Sequence, residues 1–404
     1  MISVDDALQH VLARARPRSA TVVPLAEACD RVLAEDVTSD IDSPPHDKSL
    51  VDGYALRVAD LSSLPKSLTI VEEITAGLVP QRTVTSGTAT RIMTGAPLPR
   101  GADAVVMLEA TTRTDESTVR IDQADATVGS HILRQAKSLR RGDTIFKSGD
   151  LIRPIEIGVL AEIGHSMVAV QPMPRAAVVA TGNELVASDQ VPQPGQIRNS
   201  NAPMLCALAR QAGATAIDLG IGRDDVVHLR SLIVQGLEQD LLVLSGGVSA
   251  GVMDLVPSVL QECGVQEIFH KVNLKPGKPL WFGVVRSDDQ PERLVFGLPG
   301  NPVSSLVCFE LFVRPAIQAI AGREHPGRHR LQNATLAVDQ HQQGDRQTFV
   351  PAHVLPDDAG RRVEPLVWHG SADLATLSAA NCLIVFPPGD TVYRAGRSVE
   401  ILRL

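Results

Sequence analysis

Apolar and polar positions change their spacing three times along the chain. In the first dozen residues Ala7, Val11 and Leu12 recur at helical spacing, and Ser3 with Asp6 three residues on has the pattern of a capping box. The spacing predicts a short helix there. It predicts a second from Pro24, at a first-turn position, through Leu25, Cys29, Val32 and Leu33. From about Ile41 the helical spacing disappears. Pro44 and Pro45 block a helix, and β-branched runs at 68–74, 83–90, 104–109 and 119–121 are separated by Gly and Pro. Beyond Pro172 and Pro174 the texture alternates. Strand candidates at 176–180, 241–244, 268–272, 280–285 and 294–296 are interleaved with amphipathic helices at 202–212 and 226–237. A long apolar helix at 303–320 follows, with Asn301 as N-cap and Pro302 at its first position. After a break at 322–326, β texture returns at 334–338, 348–350, 362–366, 382–386 and 398–402.

These patterns predict a multidomain chain of α/β and β class. Residues 172–323 form a central doubly wound α/β domain with a mostly parallel sheet and helices on both faces. Residues 42–137 form a β-rich inserted module, which splits an N-terminal domain into 1–41 and 138–171. Residues 324–404 form a small C-terminal β-barrel.

Composition narrows the function. The chain has 404 residues, 44% hydrophobic and 21% charged, with a formal net charge of −8. An acidic balance argues against binding nucleic acid through a basic surface, and 3% aromatics leaves little for base stacking. Cys29, Cys206, Cys263, Cys308 and Cys382 form no C-x-x-C pair, so a thiolate metal site is not expected. Their scatter fits reduced thiols in a cytoplasmic protein. The N-terminus lacks the basic start and apolar core of a signal peptide, and no apolar run approaches the roughly 20 residues needed to span a membrane.

Three loops between Leu241 and Ser305 carry the candidate chemistry. The first, Ser-Gly-Gly-Val-Ser-Ala-Gly at 245–251, follows an apolar strand, with Asp254 just behind it. The second, Lys-Pro-Gly-Lys-Pro at 275–279, presents Lys275 and Lys278 near Lys271. The third, Leu-Pro-Gly-Asn-Pro at 298–302, fixes φ with two prolines ahead of a helix. Glycines at sheet ends let backbone N–H groups approach an oxyanion, lysines act as point charges, and a helix start offers unpaired donors. Each loop alone is also an ordinary turn. Together they predict a phosphorylated ligand held with a hard metal, for which Asp254 and Glu184 are the best carboxylates. Asp224 and Asp225 stand where acids ordinarily complement a helix dipole. No G-x-S-x-G, G-x-G-x-x-G or Walker motif occurs, which argues against a hydrolase triad, a nicotinamide enzyme or a P-loop ATPase.

The three loops resemble the signature loops of the molybdopterin molybdenumtransferase family, which includes the gephyrin E-domain. Further runs match it: Asp-Gly-Tyr-Ala at 52–55, Arg-Ile-Met-Thr-Gly-Ala at 91–96, Thr-Gly-Asn-Glu-Leu at 181–185 and Gln-Ile-Arg-Asn-Ser-Asn at 196–201. The resemblance spans the chain. It implies a homodimer that inserts molybdate into adenylyl-molybdopterin, with magnesium-dependent release of AMP. It implies Glu184 and Asp254 as metal ligands. Asp52, Thr94, Asp224, Asp254, Lys271 and Lys275 would be catalytic. Gly246, Gly247, Ser249, Lys278, Pro299, Gly300, Asn301 and Pro302 would line the pterin phosphate and oxyanion region, and Arg346 and Ser371 would hold molybdate. The molybdopterin adenylyltransferase of the same pathway is an implied partner. One departure stands out: where the family often carries a Gly-Glu-Asp run after an arginine, the corresponding run here is Arg-Gln-Ala-Lys-Ser at 134–138, which lacks both acids, and Lys48 replaces a common asparagine. A scaffold homologue without turnover and a molybdopterin adenylyltransferase are the competing readings.

Overall fold

The computed structural model describes residues 1–248, 255–286, 291–327, 330–355 and 361–404; Ser249 and Asp254, both candidate site residues, lie outside them. The described chain forms two compact units. One comprises Met1–Glu35, Ser148–Ile157 and Met167–Leu404, the other Asp36–Lys147 and Gly158–Ser166.

The first unit is organised by a six-stranded sheet. Its elements in chain order are β1 (Arg175–Thr181), α1 (Asn201–Gln211), β2 (Thr215–Gly222), α2 (Val226–Gly236), β3 (Leu241–Ser245), α3 (Leu255–Glu262), β4 (Gln266–His270), β5 (Trp281–Val285), β6 (Arg293–Leu298) and α4 (Pro302–Cys308). The strand order is β2-β1-β3-β6-β5-β4, and β5 alone runs against the others. Alternation of side chains explains why β1 reads as an unbroken apolar run. Ala176, Val178 and Ala180 face one core with Leu205 and Ala209 of α1 and Ala7 and Val11 of the N-terminal helix. Ala177 and Val179 face a second core with Leu229 and Ile233 of α2 and Val256 and Leu260 of α3. A strand buried on both faces loses the polar half of its period.

α4 continues through a π-helical turn, Phe309–Val313, into Arg314–Ile320. By length and composition this 19-residue helix could cross a membrane, which corrects the expectation that no apolar run is long enough, but 89% of it is buried inside the domain. Its charges are paired within the protein. Glu310 accepts from Arg314 Nε (2.6 Å) and Nη2 (2.7 Å) and from Arg330 Nη1 (2.6 Å).

The C-terminal strands Leu331–Leu336, Gln347–Leu355, Arg362–Pro365, Cys382–Phe386 and Ser398–Arg403 close into a five-stranded barrel around Leu336, Val363, Ile384, Phe386 and Ile401. Leu274–Lys275 joins as a sixth strand, parallel to Gln347 and Thr348. The second unit contains its own six-stranded mixed sheet, in the order Ala104–Met107, Gly53–Leu56, Thr88–Ile92, Lys66–Ile74, Thr118–Ile121 and Thr111–Arg113.

Three local expectations are corrected. The helix expected from Pro24 to Leu33 is a single 3-10 turn, Leu25–Glu27, after a strand, Thr21–Pro24. Asp30 adopts φ 64°, and the N–H groups of Asp30, Leu33 and Ala34 donate to Ile152, Asp150 and Ala169, so no helical ladder can form. The strand expected at 83–90 starts only at Thr88, because Thr88 N–H turns back to the Thr85 carbonyl (3.1 Å). β2 was not expected from the pattern, since as an edge strand it leaves Thr215, Ile217 and Asp218 exposed.

Candidate functional site

β1 lies between β2 and β3. From β1 the chain crosses one face through α1 to β2, then the other face through α2 to β3. The loops that follow β1 and β3 therefore part in opposite directions and leave a crevice at the carboxyl ends of the strands. Open α/β sheets bind ligands at such a switch point. A cavity of about 510 Å³ occupies this place. Glu184 comes from the loop after β1, Asp224 from the loop after β2, Gly246 and Gly247 from the loop after β3, and Pro299–Pro302 from the loop after β6.

Hydrogen bonds fix these loops to one another. Asn201, at the start of α1, is buried and donates from Nδ2 to Ser245 Oγ (2.7 Å) and to the Gly300 carbonyl (2.7 Å). Its Oδ1 is buried and has no partner among the described residues. Ser305 donates its hydroxyl to the Pro299 carbonyl. Gly246 N–H donates to Leu298 O (3.0 Å), with φ 98°, and a β-carbon there would come 2.6 Å from the Thr181 carbonyl. Only glycine permits this approach of backbone to backbone.

The two aspartates before α2 divide the work. Asp225 is the N-cap and accepts from His228 N–H (2.7 Å). Asp224 is not needed for capping and lines the cavity. Glu184 folds back over Gly182, where a β-carbon would collide with its carboxylate. Glu184, Asp224 and the Asn201 amide oxygen form an oxygen-only donor set, the chemistry that suits magnesium. Among the described residues no group of three or more His, Cys, Asp or Glu side chains is gathered tightly enough to hold a metal by itself.

Asn301 takes the N-cap position of α4, but its amide donates instead to Ser371 Oγ (2.9 Å), while Val303 N–H donates to the Ser371 carbonyl (3.0 Å). Ser371 is thereby held against the Pro299–Pro302 loop. Arg346 Nη1 donates to the Leu274 carbonyl (3.4 Å), which sets it beside the lysine loop. Lys271, Lys275 and Lys278 are not brought into the cavity wall, which reaches Pro279. Lys275 and Lys278 stand exposed on either side of Pro276 and Gly277. In the second unit, Thr94 N–H and Oγ1 both donate to Asp52 Oδ1 (2.7 Å each). These two bonds, the backbone one first, hold the Asp52 carboxyl below its ordinary pKa. Around the departing run, Arg134 pairs with Asp47 (2.6 Å) and Gln135 Nε2 donates to Asp42 (2.7 Å), while Lys137 and Ser138 are exposed.

Sequence reasoning passed over several polar cavity residues, among them Asn201 as a bonding centre and Arg223. The signal for Arg223 was its place just after a strand, and that strand is the edge strand the pattern did not reveal.

The fold and cavity define an α/β protein with a crevice at the carboxyl edge of a doubly wound sheet. The chain matches the MoeA N-terminal region (domain I and II) over residues 2–164, the probable molybdopterin binding domain over 177–319 and the MoeA C-terminal region (domain IV) over 333–404. It is 32% identical over 412 residues to a molybdopterin molybdenumtransferase of Staphylococcus aureus (strain COL), covering 99% of this chain and 95% of that one. A molybdopterin molybdenumtransferase of Bacillus subtilis (strain 168) is 33% identical over 410 residues, covering 99% and 94%. A crystal structure of a molybdopterin biosynthesis MoeA protein from Pyrococcus horikoshii OT3 superposes with a TM-score of 0.83 at 28% identity, over the whole of both chains. This chain belongs to the molybdopterin molybdenumtransferase family.

Proposed function

We propose that the chain is an enzyme of molybdenum cofactor biosynthesis that inserts molybdate into the dithiolene of adenylyl-molybdopterin and releases AMP. The observation that supports this reading most is the switch-point cavity, where two carboxylates and two glycine- or proline-rich loops meet. Glu184 and Asp224, with Asp254, would hold magnesium, which when bound supplies charge stabilisation at the adenylyl phosphate. The backbone N–H groups of Gly247, Gly300 and Asn301, with Ser249, hold the phosphorylated end of the pterin, and Gly246, Pro299 and Pro302 shape the loops that present them. Ser371 and Arg346, with Lys271, Lys275 and Lys278, offer hydroxyl and cationic donors suited to a tetrahedral dianion. Asp52 and Thr94 act in the same reaction. No covalent nucleophile from the protein is required. The enzyme works in the cytoplasm as a homodimer of four-domain subunits, divided at about the boundaries expected from the sequence, and receives its substrate from the molybdopterin adenylyltransferase.

Purified protein incubated with adenylyl-molybdopterin, molybdate and magnesium should release AMP and yield metal-loaded cofactor. Failure of both would remove the reading. Tungstate in a parallel reaction reports the oxyanion preference. The exposed Lys137 and Ser138 favour a second reading, a homologue that binds the pterin without turnover; tight binding with no AMP release would select it.

A further inference from the structure

We infer that Arg223 is a positioning residue that sets the spacing of the Glu184 and Asp224 carboxylates. The inference rests on the functional reading above for its consequence, and on geometry for its substance. Glu184 and Asp224 belong to two loops that leave neighbouring strands, β1 and β2, and both loops are exposed. The bonding that continues from the sheet reaches Gly182, whose N–H donates to the Gly222 carbonyl (3.1 Å), and stops short of both carboxylates. Arg223 supplies the tie. Its Nη1 donates to the Asn183 carbonyl (3.1 Å) and to the Leu185 carbonyl (2.9 Å), the residues on either side of Glu184. The bond is returned one residue later, where Asp224 N–H donates to the Asn183 side-chain oxygen (3.1 Å). Three hydrogen bonds thus cross between Arg223–Asp224 and Asn183–Leu185, with one carboxylate beside each end of the strap.

The back of the strap is anchored as well. Arg223 N–H faces His228 Nδ1 (3.4 Å) and its carbonyl accepts from Asp225 N–H (2.7 Å), so α2 holds the arginine backbone. Both bonds come from the two N–H groups of one nitrogen, Nη1, whose directions are fixed in the guanidinium plane. A lysine ammonium is a strongly hydrated point charge and does not reproduce them. Arg223 also lines the cavity. Removing the side chain would therefore loosen the Glu184 loop.

The test compares wild type with Arg223→Ala and Arg223→Lys in the full chain, with Glu184→Gln as a metal-site control. Manganese, used as the probe for magnesium, is titrated by electron paramagnetic resonance without substrate. Affinity should fall about 10- to 100-fold in Arg223→Ala and recover little in Arg223→Lys, as losses of outer-shell partners do. Hydrogen–deuterium exchange should quicken at residues 182–186 in both variants, with thermal unfolding little changed. In the molybdate reaction kcat should fall while KM for molybdate stays within about twofold. Exchange and manganese affinity equal to wild type in Arg223→Ala would overturn the inference. A wild type that binds no manganese overturns the metal reading instead, and the exchange comparison then decides the strap alone.

Discussion

Replacing Asn201 by aspartate keeps the side-chain volume and exchanges an amide nitrogen for an oxygen. The nitrogen now donates to Ser245 Oγ and to the Gly300 carbonyl at 2.7 Å each. Ser245 is a hydroxyl and can turn to donate to the new carboxylate. The Gly300 carbonyl cannot, and would face an oxygen of like charge. A buried acceptor left unpaired costs about 1–3 kcal/mol, and burying the carboxylate adds to this. We expect a loss of about 2–4 kcal/mol at pH 8, read as a lower urea midpoint with an unchanged slope. The loss should depend on pH in a definite direction. Burial raises the carboxyl pKa in the folded state above its unfolded value, so the folded state binds the extra proton. Stability of the variant relative to wild type then rises as pH falls through the raised pKa, because protonated aspartate can donate to Gly300. A loss under about 1 kcal/mol at pH 8, or one that does not shrink by pH 5, would refute the reasoning that Asn201 ties the cavity loops together.

Thr94→Val removes one of the two donors that hold the Asp52 carboxyl down, so its titration by carbon-13 NMR should move upward while remaining below the ordinary value through the backbone bond. Because the folded pKa is depressed, any stability Asp52 contributes is present above its unfolded pKa and is lost as pH falls through the folded one. Arg314→Met removes one of the two guanidinium partners of Glu310 from a site whose side chains are 2% and 1% exposed, and should cost about 3–5 kcal/mol in thermal or urea unfolding; replacing Glu310 by leucine as well should regain little, because Arg330 then loses its carboxylate. Thiol titration with Ellman's reagent at pH 8 should modify exposed Cys29 first. Burial pushes the Cys206 and Cys382 thiols up to about 11, so both should react only after unfolding.

The central domain was legible wherever burial wrote a plain signal. β1 and β3 are covered on both faces, so their apolar runs have no other reading, and Pro302 announces the start of α4. The edge strand β2 carries no such signal, and with it went Arg223. The glycine and proline loops were correctly grouped at the carboxyl ends of strands because alternating strand and helix dictates it. The direction of Lys275 and Lys278 was not legible. It depends on the turn geometry around Pro276 and on the strand that Leu274–Lys275 forms with the barrel, and neither is a local property. The two-residue partnership of Asn301 with Ser371 was equally hidden, since it joins positions 70 apart.

That sixth strand of the barrel has a consequence for how the chain can be cut. Leu274 and Lys275 belong by sequence to the central domain, yet their backbone is stitched to Gln347 and Thr348 of the C-terminal strands. The lysine loop and the barrel therefore travel as one body. A truncation that removes residues 331–404 would not be a clean deletion, because it would strip Leu274–Lys275 of the strand with which they pair. Any shortened homologue that keeps the central domain alone needs another way to hold that loop.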